Sequence, residues 1–450
     1  MSDVATVTTP PTRRRLIKPS LRWPVGLLIA AVVIFFFYYL DTYFADAVPD
    51  GLSEFMHDWF PLLSINEALV YVMCALGLNV VVGYAGLLDL GFVAFWAIGG
   101  YTVGWLMSGF FHGFTFRFFG SKFTADNNIP GIHINFWTVL IAAALVCALF
   151  GVIIGAPTLR LRSDYLALVT LGFGEITYEF FFNGSDIFGK NITNGNQGIT
   201  PVDSVRFFGF DQTGALTWKD LGPFDALPKF VLFCALTAVV MFASMRIREG
   251  RLGRAWLAIR EDELAASAMG VPLMRTKLKA YAIGAVAGGI GGAAFAIHVS
   301  GVLPDRFRFD ISITLLAMVV LGGMGNVWGV TVGALLLAWT NSTALPRAEA
   351  AFNDTFRDTF GRDISFQFLL FGSVLVLMML FRREGFIPEA RTRLVLREPG
   401  RTEAESLGAD MEAAAPELEE LRRHDEQSLS ATPAAGGRHT AGDDPERRTS

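Results

Sequence analysis

The sequence predicts an all-α, polytopic membrane protein of about ten transmembrane helices with both termini in the cytoplasm. Three observations carry this. The chain is 52% hydrophobic and only 18% charged, with 40 Phe, whereas soluble domains average about 45–50% apolar and about 25% charged. Apolar windows of roughly 17–25 residues, the length that crosses a bilayer as a helix, recur along it. Basic residues gather at alternating junctions of those windows, as retention of Lys and Arg on the cytoplasmic side requires.

The elements follow in order. Residues 1–24 form a basic N-terminal segment carrying Arg13, Arg14, Arg15, Lys18 and Arg22. The apolar run after it ends in Phe35, Phe36, Phe37, Tyr38 and Tyr39. No small-residue cleavage pattern follows closely, so it reads as a first membrane helix and not a signal peptide. Helices are expected at about 25–41, 62–82, 89–111, 136–158, 164–182, 229–246, 277–300, 311–325, 327–343 and 365–381. Parity then places the acid-rich Asp41–Asp58 segment outside. It places Arg160 and Arg162, the block Arg246, Arg248, Arg251, Arg254 and Arg260, and Arg382 and Arg383 inside. The outer loops 112–135 and 183–228 are long; the second is rich in Asn, Gly, Asp and Pro and therefore in turns. Residues 386–450 are acidic, then rich in Ala, Gly, Pro, Ser and Arg. Such a tail buries too little apolar surface to order itself and is expected to be disordered in the cytoplasm.

Composition also excludes. A net charge of −5 argues against a nucleic-acid partner. Cys74, Cys147 and Cys234 each lie inside an apolar run, which reads as three small buried hydrophobes and not a disulfide framework. The six histidines show no metal-ligand spacing, and no nucleophile–base pair appears, so neither a metal, nor a cofactor, nor an enzyme activity is expected. GSDIFGKN, from Gly184, resembles a phosphate-binding loop, but Asn191 stands where the loop needs Ser or Thr, and the stretch follows a helix end. The Asn-x-Ser/Thr triplets at Asn183, Asn191, Asn341 and Asn353 are short enough to arise by chance.

Four features remain as candidates. Gly83-Tyr84-Ala85-Gly86 and Gly322-Gly323-Met324-Gly325 interrupt apolar runs; the helices flanking them are expected to be short, broken or re-entrant, since irregular backbone at membrane depth must be buried in protein or line a wet cavity. Gly284, Gly288 and Gly291 recur on one helix, a spacing that serves close packing, a moving gate, or both. Asp89 and Glu175 lie in or near apolar stretches, where a carboxylate costs about 2.5–3.5 kcal/mol; each is either a structural or interfacial acid or lines a translocation path. The last is GRAWLAIREDELAASAMG, Gly253–Gly270. Its helix propensity is good, but on a wheel Trp256, Ile259 and Ala266 share a side with Glu263 while Leu257, Leu264 and Ala268 lie elsewhere. That pattern fits a plain solvated connector, or a short helix over which another protein's groove closes, its acids meeting basic groups there.

This segment resembles the coupling loop of ABC-importer permeases, in which Glu-Ala-Ala is followed by three residues and Gly. Ala265, Ala266 and Gly270 keep that spacing and Glu263 is displaced by one. REDELAASAMG is similar to the LivM-type permeases of branched-chain amino acid transporters. Agreement extends to GLNVVVGYAGLLDLGFVAFWAIGGYT (Gly77–Thr102), LRLRSDYLALVTLGFGEI (Leu159–Ile176), TNGNQGIT (Thr193–Thr200) and LAMVVLGGMGNVWGVTVGA (Leu316–Ala334).

The resemblance implies a permease membrane domain over 25–385, with a cytoplasmic coupling loop near 247–276. Arg260, Glu261, Asp262, Glu263, Ala265, Ala266 and Gly270 would meet an ATPase. Asp89 and Glu175 would be candidates for the path. Gly284, Gly288, Gly291, Gly322, Gly323 and Gly325 would serve packing or gating. The implied partners are a second permease subunit, two cytoplasmic ABC ATPases, an extracytoplasmic binding protein and the lipid bilayer of a bacterial inner membrane. Urea or short amides are the alternative cargo, and an ion-coupled secondary transporter is the alternative of another class.

Overall fold

The computed structural model describes residues 22–43, 49–111, 116–118, 130–161, 163–187, 189–210, 216–220, 225–360 and six positions between 372 and 387. The N-terminal arginines through Arg15, Arg162, most of the expected helix at 365–381 and the tail lie outside these residues. The chain divides into two units, Met1–Glu389 and Ala390–Ser450, and all the described residues belong to the first.

Helices stand at nine of the ten expected intervals. They are α1 (Arg22–Tyr43), α3 (Leu62–Leu78), α4 (Val93–Leu106), α5 (Phe136–Thr158), α6 (Ser163–Phe182), α7 (Ala226–Glu249), α10 (Leu273–Val299), α11 (Phe309–Gly322) and α12 (Val327–Trp339), with α2 (Asp50–Trp59), α8 (Arg251–Glu261), α9 (Glu263–Ala268) and α13 (Leu345–Phe360) between or after them. Four helical stretches, Gly51–Tyr84, Phe136–Thr158, Ala226–Glu249 and Leu273–Val299, are long and apolar enough to cross a bilayer. With α1, α4 and α11 as shorter apolar helices, this is an all-α membrane protein. The most exposed bulky side chains of α5, Ile141, Leu145, Leu149 and Ile153, recur every four residues along one face, as a lipid-facing stripe does.

α10 is the axis of the bundle. It packs on α3, α4 and α5, and its glycines make this closeness feasible. A Cβ on Gly292 would lie 2.0 Å from the Trp96 carbonyl oxygen of α4, and one on Gly289 would lie 2.5 Å from Cys147 Sγ of α5. Small residues let helix backbones meet where no hydrophobic force drives them together. Cys74 and Cys147 are free thiols buried in these crossings, as expected, and Cys234 is half-buried.

Several elements differ from expectation. α4 begins at Val93, four residues late, because Gly86 has φ +70° and the Asp89 carboxylate binds the Gly91 amide, holding 85–92 out of helix. At about 1.5 Å per residue the 14 residues of α4 and of α11 span about 21 Å against about 30 Å of hydrocarbon. Within the acid-rich Asp41–Asp58 segment, Asp41 stands in the last turn of α1 and Asp50–Asp58 lie in α2. Ser53 Oγ donates to Asp41 Oδ1 at 2.8 Å, and His57 Nε2 lies 2.8 Å from Asp41 Oδ2. α13 carries Arg347, paired with Asp58 at 3.0 Å.

The long loops hold two small sheets. Strands β1 (Met107–Ser108), β2 (Phe116–Phe118) and β3 (Ile132–Ile134) pair in the order β1-β3-β2, and β4 (Arg206–Phe210) forms a hairpin with β5 (Leu216–Asp220). Buried His133 joins these loops, its Nδ1 lying 2.8 Å from Asp203 Oδ2. The segment after α10 is pinned to them by Ile199–Val302 backbone bonds of 2.9 Å in both directions.

Candidate functional site

The Gly253–Gly270 segment is two helices, not one. The chain is extended at Asp262 (φ −156°, ψ 116°), between α8 and α9. The break resolves the poor stripe on the helical wheel, because each helix has its own inner face. Trp256 and Ile259 of α8 and Ala266 of α9 are buried, and Trp256 Nε1 donates to the Thr276 carbonyl at 2.8 Å. Asp262 caps α9, its Oδ1 accepting from the Leu264 and Ala265 amides at 2.7 and 3.0 Å. An aspartate cap of this kind holds even so short a helix.

At its other end α9 closes in a Schellman turn. The Gly270 amide donates to Ser267 O at 2.9 Å and the Val271 amide to Ala266 O at 3.1 Å. This turn needs a left-handed residue, and Gly270 supplies it with φ +83°. Glu263 pairs with Lys277 of α10, and Arg260 Nη1 donates to the Gly83 carbonyl. Asp262, Glu263 and Arg260 are thus engaged within the chain. The large apolar side chains that point outward are Leu264 of α9, 81% exposed, and Met269 at its C-cap, 85% exposed, with Ala265, Ser267 and Ala268 exposed between them. Glu261 is exposed on the last turn of α8. The result is a capped, braced turn of helix with two large apolar side chains left exposed.

The remaining candidates are distributed. Asp89 is 1% exposed; its Oδ1 accepts from the Gly91 amide at 2.9 Å, and its carboxyl faces the Tyr281 and Thr170 hydroxyls. Its position makes it a brace between the 85–92 segment, α6 and α10. Glu175 is half-buried on α6. Gly284 lies over Val81 and Gly77, Gly288 over Phe92 and Phe95, and Gly291 over Cys74. Gly322 approaches the Gly329 carbonyl, while Gly323 (φ +109°) and Gly325 (φ +84°) form the break between α11 and α12.

Sequence reasoning assigns no role to three residues that position these groups. Trp256 and Lys277 brace the segment from below. Asn79, a buried amide inside an apolar run, accepts the Gly325 amide at 2.9 Å; a polar residue at that depth is the signal that marks it.

Fold and site together describe an integral membrane protein whose bundle carries a braced polar knuckle and a glycine break. The family model described as "Branched-chain amino acid transport system / permease component" matches residues 60–381, and the chain belongs to that family. It is 36% identical over 341 residues to the "High-affinity branched-chain amino acid transport system permease protein LivM" of Escherichia coli (strain K12), covering 73% of this chain and 70% of that one. It is 26% identical to the "Probable branched-chain amino acid transport permease protein LivM" of Methanocaldococcus jannaschii, covering 71% of this chain and 91% of that one. A shorter match, 27% over 174 residues, joins it to the "High-affinity branched-chain amino acid transport system permease protein LivH" of Salmonella typhimurium, covering 39% of this chain and 47% of that one. No solved structure matches the chain.

Proposed function

We propose that this chain is one of two permease subunits of an ATP-driven importer in a bacterial inner membrane, and that it forms with the second the path for branched-chain amino acids. A LivH-type permease is the second subunit, two ABC ATPases act from the cytoplasm, and an extracytoplasmic binding protein delivers the solute. The chain spans the membrane about ten times with both ends inside, which puts α8 and α9 on the cytoplasmic side and the His133–Asp203 loops outside. Residues 25–385 make the membrane domain and 386–450 a cytoplasmic tail.

One observation carries the reading: α9, capped by Asp262 and ended by Gly270, holds Leu264 and Met269 exposed. An apolar pair on a rigid turn suits a groove in a soluble partner. α10 begins within a few residues of α9 and runs through the bundle, so movement of the docked knuckle is movement of the helix on which α3, α4 and α5 pack. ATP drives the cycle by favouring one arrangement of the ATPase pair over the other. Asp89 and Glu175 belong to the elements around this helix; Glu175 is the one we assign to the path, because it is partly accessible whereas Asp89 is enclosed.

The test is affinity purification of the tagged chain in mild detergent, followed by reconstitution with what accompanies it. Two ATPase subunits and a second permease should copurify, and the vesicles should take up leucine on addition of ATP and binding protein. Solute accumulation by the chain alone would overturn the proposal, and ATP-dependent uptake of urea in place of leucine would overturn its cargo.

A further inference from the structure

We propose that Asn79 and Gly83 form a relay that ties the position of Arg260, at the end of α8, to the glycine break between α11 and α12. The segment Asn79–Tyr84 continues α3 as a π-helix. Such segments are rare and gather at functional positions. Two of its residues reach in opposite directions. The Gly83 carbonyl accepts from Arg260 Nη1, whose stem lies against Gly86, so that a Cβ there would come within 2.9 Å of Arg260 Cγ. Asn79, one turn earlier, accepts the Gly325 amide through Oδ1 at 2.9 Å, across 246 residues of sequence.

Gly83 is also where the two contacts meet. A Cβ on it would lie 2.1 Å from Asn79 Oδ1 and 2.6 Å from the Gly325 nitrogen. Only a residue without a side chain lets Asn79 reach the break at this point. Asn79 is fully buried, and its Nδ2 has no hydrogen-bond partner among the described residues. A buried donor left unmade is costly, so an arrangement that pairs it competes with this one.

The far side of the relay is equally constrained. Gly323 and Gly325 have left-handed backbone, Asn326 Oδ1 accepts from the Trp328 amide at 3.1 Å, and Asn326 Nδ2 donates to Ile387 O at 3.0 Å. The Phe386 amide donates to Leu321 O at 2.7 Å. A shift of Gly325 therefore moves the start of α12 and the chain near 387 together. Arg260, Asn79 and Gly83 act here as positioning residues. The direction of the signal, from an ATPase at α9 toward the break, rests on the function proposed above; the linkage itself does not.

The test is amide hydrogen exchange on the full chain in lipid nanodiscs, read over Gly323–Asn326. Arg260→Ala should speed exchange there by about twofold to tenfold, the worth of one hydrogen bond. Arg260→Lys, which keeps a donor, should recover part of the protection. Arg254→Ala, on the same helix but bonded to Glu249 O, should leave it unchanged. Asn79→Ala should have an effect like that of Arg260→Ala, and the double variant should exceed neither single one, since residues in one network are not additive. Equal exchange in the Arg260→Ala and Arg254→Ala chains, or effects that multiply in the double variant, would overturn the relay. Arg260 is exposed, so its variants carry the test even where Asn79→Ala fails to fold.

A second arm uses the transporter reconstituted with its partners: Asn79→Ala should lower uptake per ATP hydrolysed at least about fivefold while hydrolysis persists. Unchanged uptake per ATP would overturn the relay. Failure of any ATPase to assemble on a chain whose exchange behaves as expected would overturn the proposed function alone.

Discussion

Glu263 and Lys277 form an ion pair that fastens the first residue of α9 to the first turns of α10. The lysine side chain is nearly buried and the glutamate side chain is 54% exposed. Solvent therefore screens the pair, and its worth to stability is under about 1 kcal/mol. Glu263→Gln should shift the melting temperature of the purified chain by only a few degrees, measured by differential scanning fluorimetry in detergent. The same variant should weaken leucine uptake in vesicles holding the assembled transporter, because the charge that ties α9 to α10 is then lost. Unaltered uptake would show that this tie carries no movement.

Leu264 of α9 and Met269 just after it are the large apolar side chains left uncovered there. Neither packs on the bundle core, so replacing either by Asp should change stability by no more than about 0.5 kcal/mol, as for other surface positions. Burying the introduced carboxylate in a partner's groove is far more costly. Leu264→Asp should abolish copurification of ATPase subunits while the chain still elutes as a single peak. Retention of the ATPases in both variants would remove α9 as the docking element.

Gly270 and the residue put in its place form the next comparison. Nothing lies within 4 Å of a Cβ there, but φ is +83°. The obstacle is backbone conformation and not space. Asn tolerates that region and Val does not. Gly270→Asn should keep most uptake per ATP, and Gly270→Val should lose several-fold with assembly intact. Equal behaviour of the two would show that the turn is not what matters.

Gly292 and Gly172 separate tight packing from open space. A Cβ on Gly292 would meet backbone of α4 at 2.0 Å, whereas one on Gly172 meets nothing within 4 Å. Gly292→Leu should give aggregated protein in size-exclusion chromatography, as overpacking against backbone predicts. Gly172→Leu should elute as the unaltered chain does.

Thiol labelling in native membranes tests the core directly. Cys74 and Cys147 are fully buried. A membrane-permeant maleimide should modify neither within minutes, and both after denaturation, read by mass spectrometry of the full chain.

The helices were legible because length and apolarity are one-dimensional properties. Phe136–Thr158 was placed to the residue, since Asn135 and the turn after Pro157 bound an unbroken apolar run. α2 and α13 were not found, because a search for apolar windows passes over helices with only one apolar face. β4 and β5 fall where the sequence reads as turn-rich loop, as short strands between Gly and Pro carry little pattern of their own. Within the site, the roles of Asp262, Glu263 and Arg260 turned on a single extended residue at 262. A wheel assumes one continuous helix, and on it these charges fit either a solvated connector or a partner's basic groups. The grip of Asn79 on Gly325 was beyond any local reading, since the two lie 246 positions apart.

α10 is unbroken from Leu273 to Val299, 27 residues or about 40 Å. A rod of that length magnifies rotation at its base: about 5° of tilt at Leu273 displaces Val299 by about 3.5 Å by simple trigonometry, starting from the same 1.5 Å rise. That displacement is comparable to the spacing of neighbouring side chains in the strand contact between Val302 and Ile199. Slippage of that contact by one notch would thus be the readout, at one rim of the bundle, of a small swing at the other.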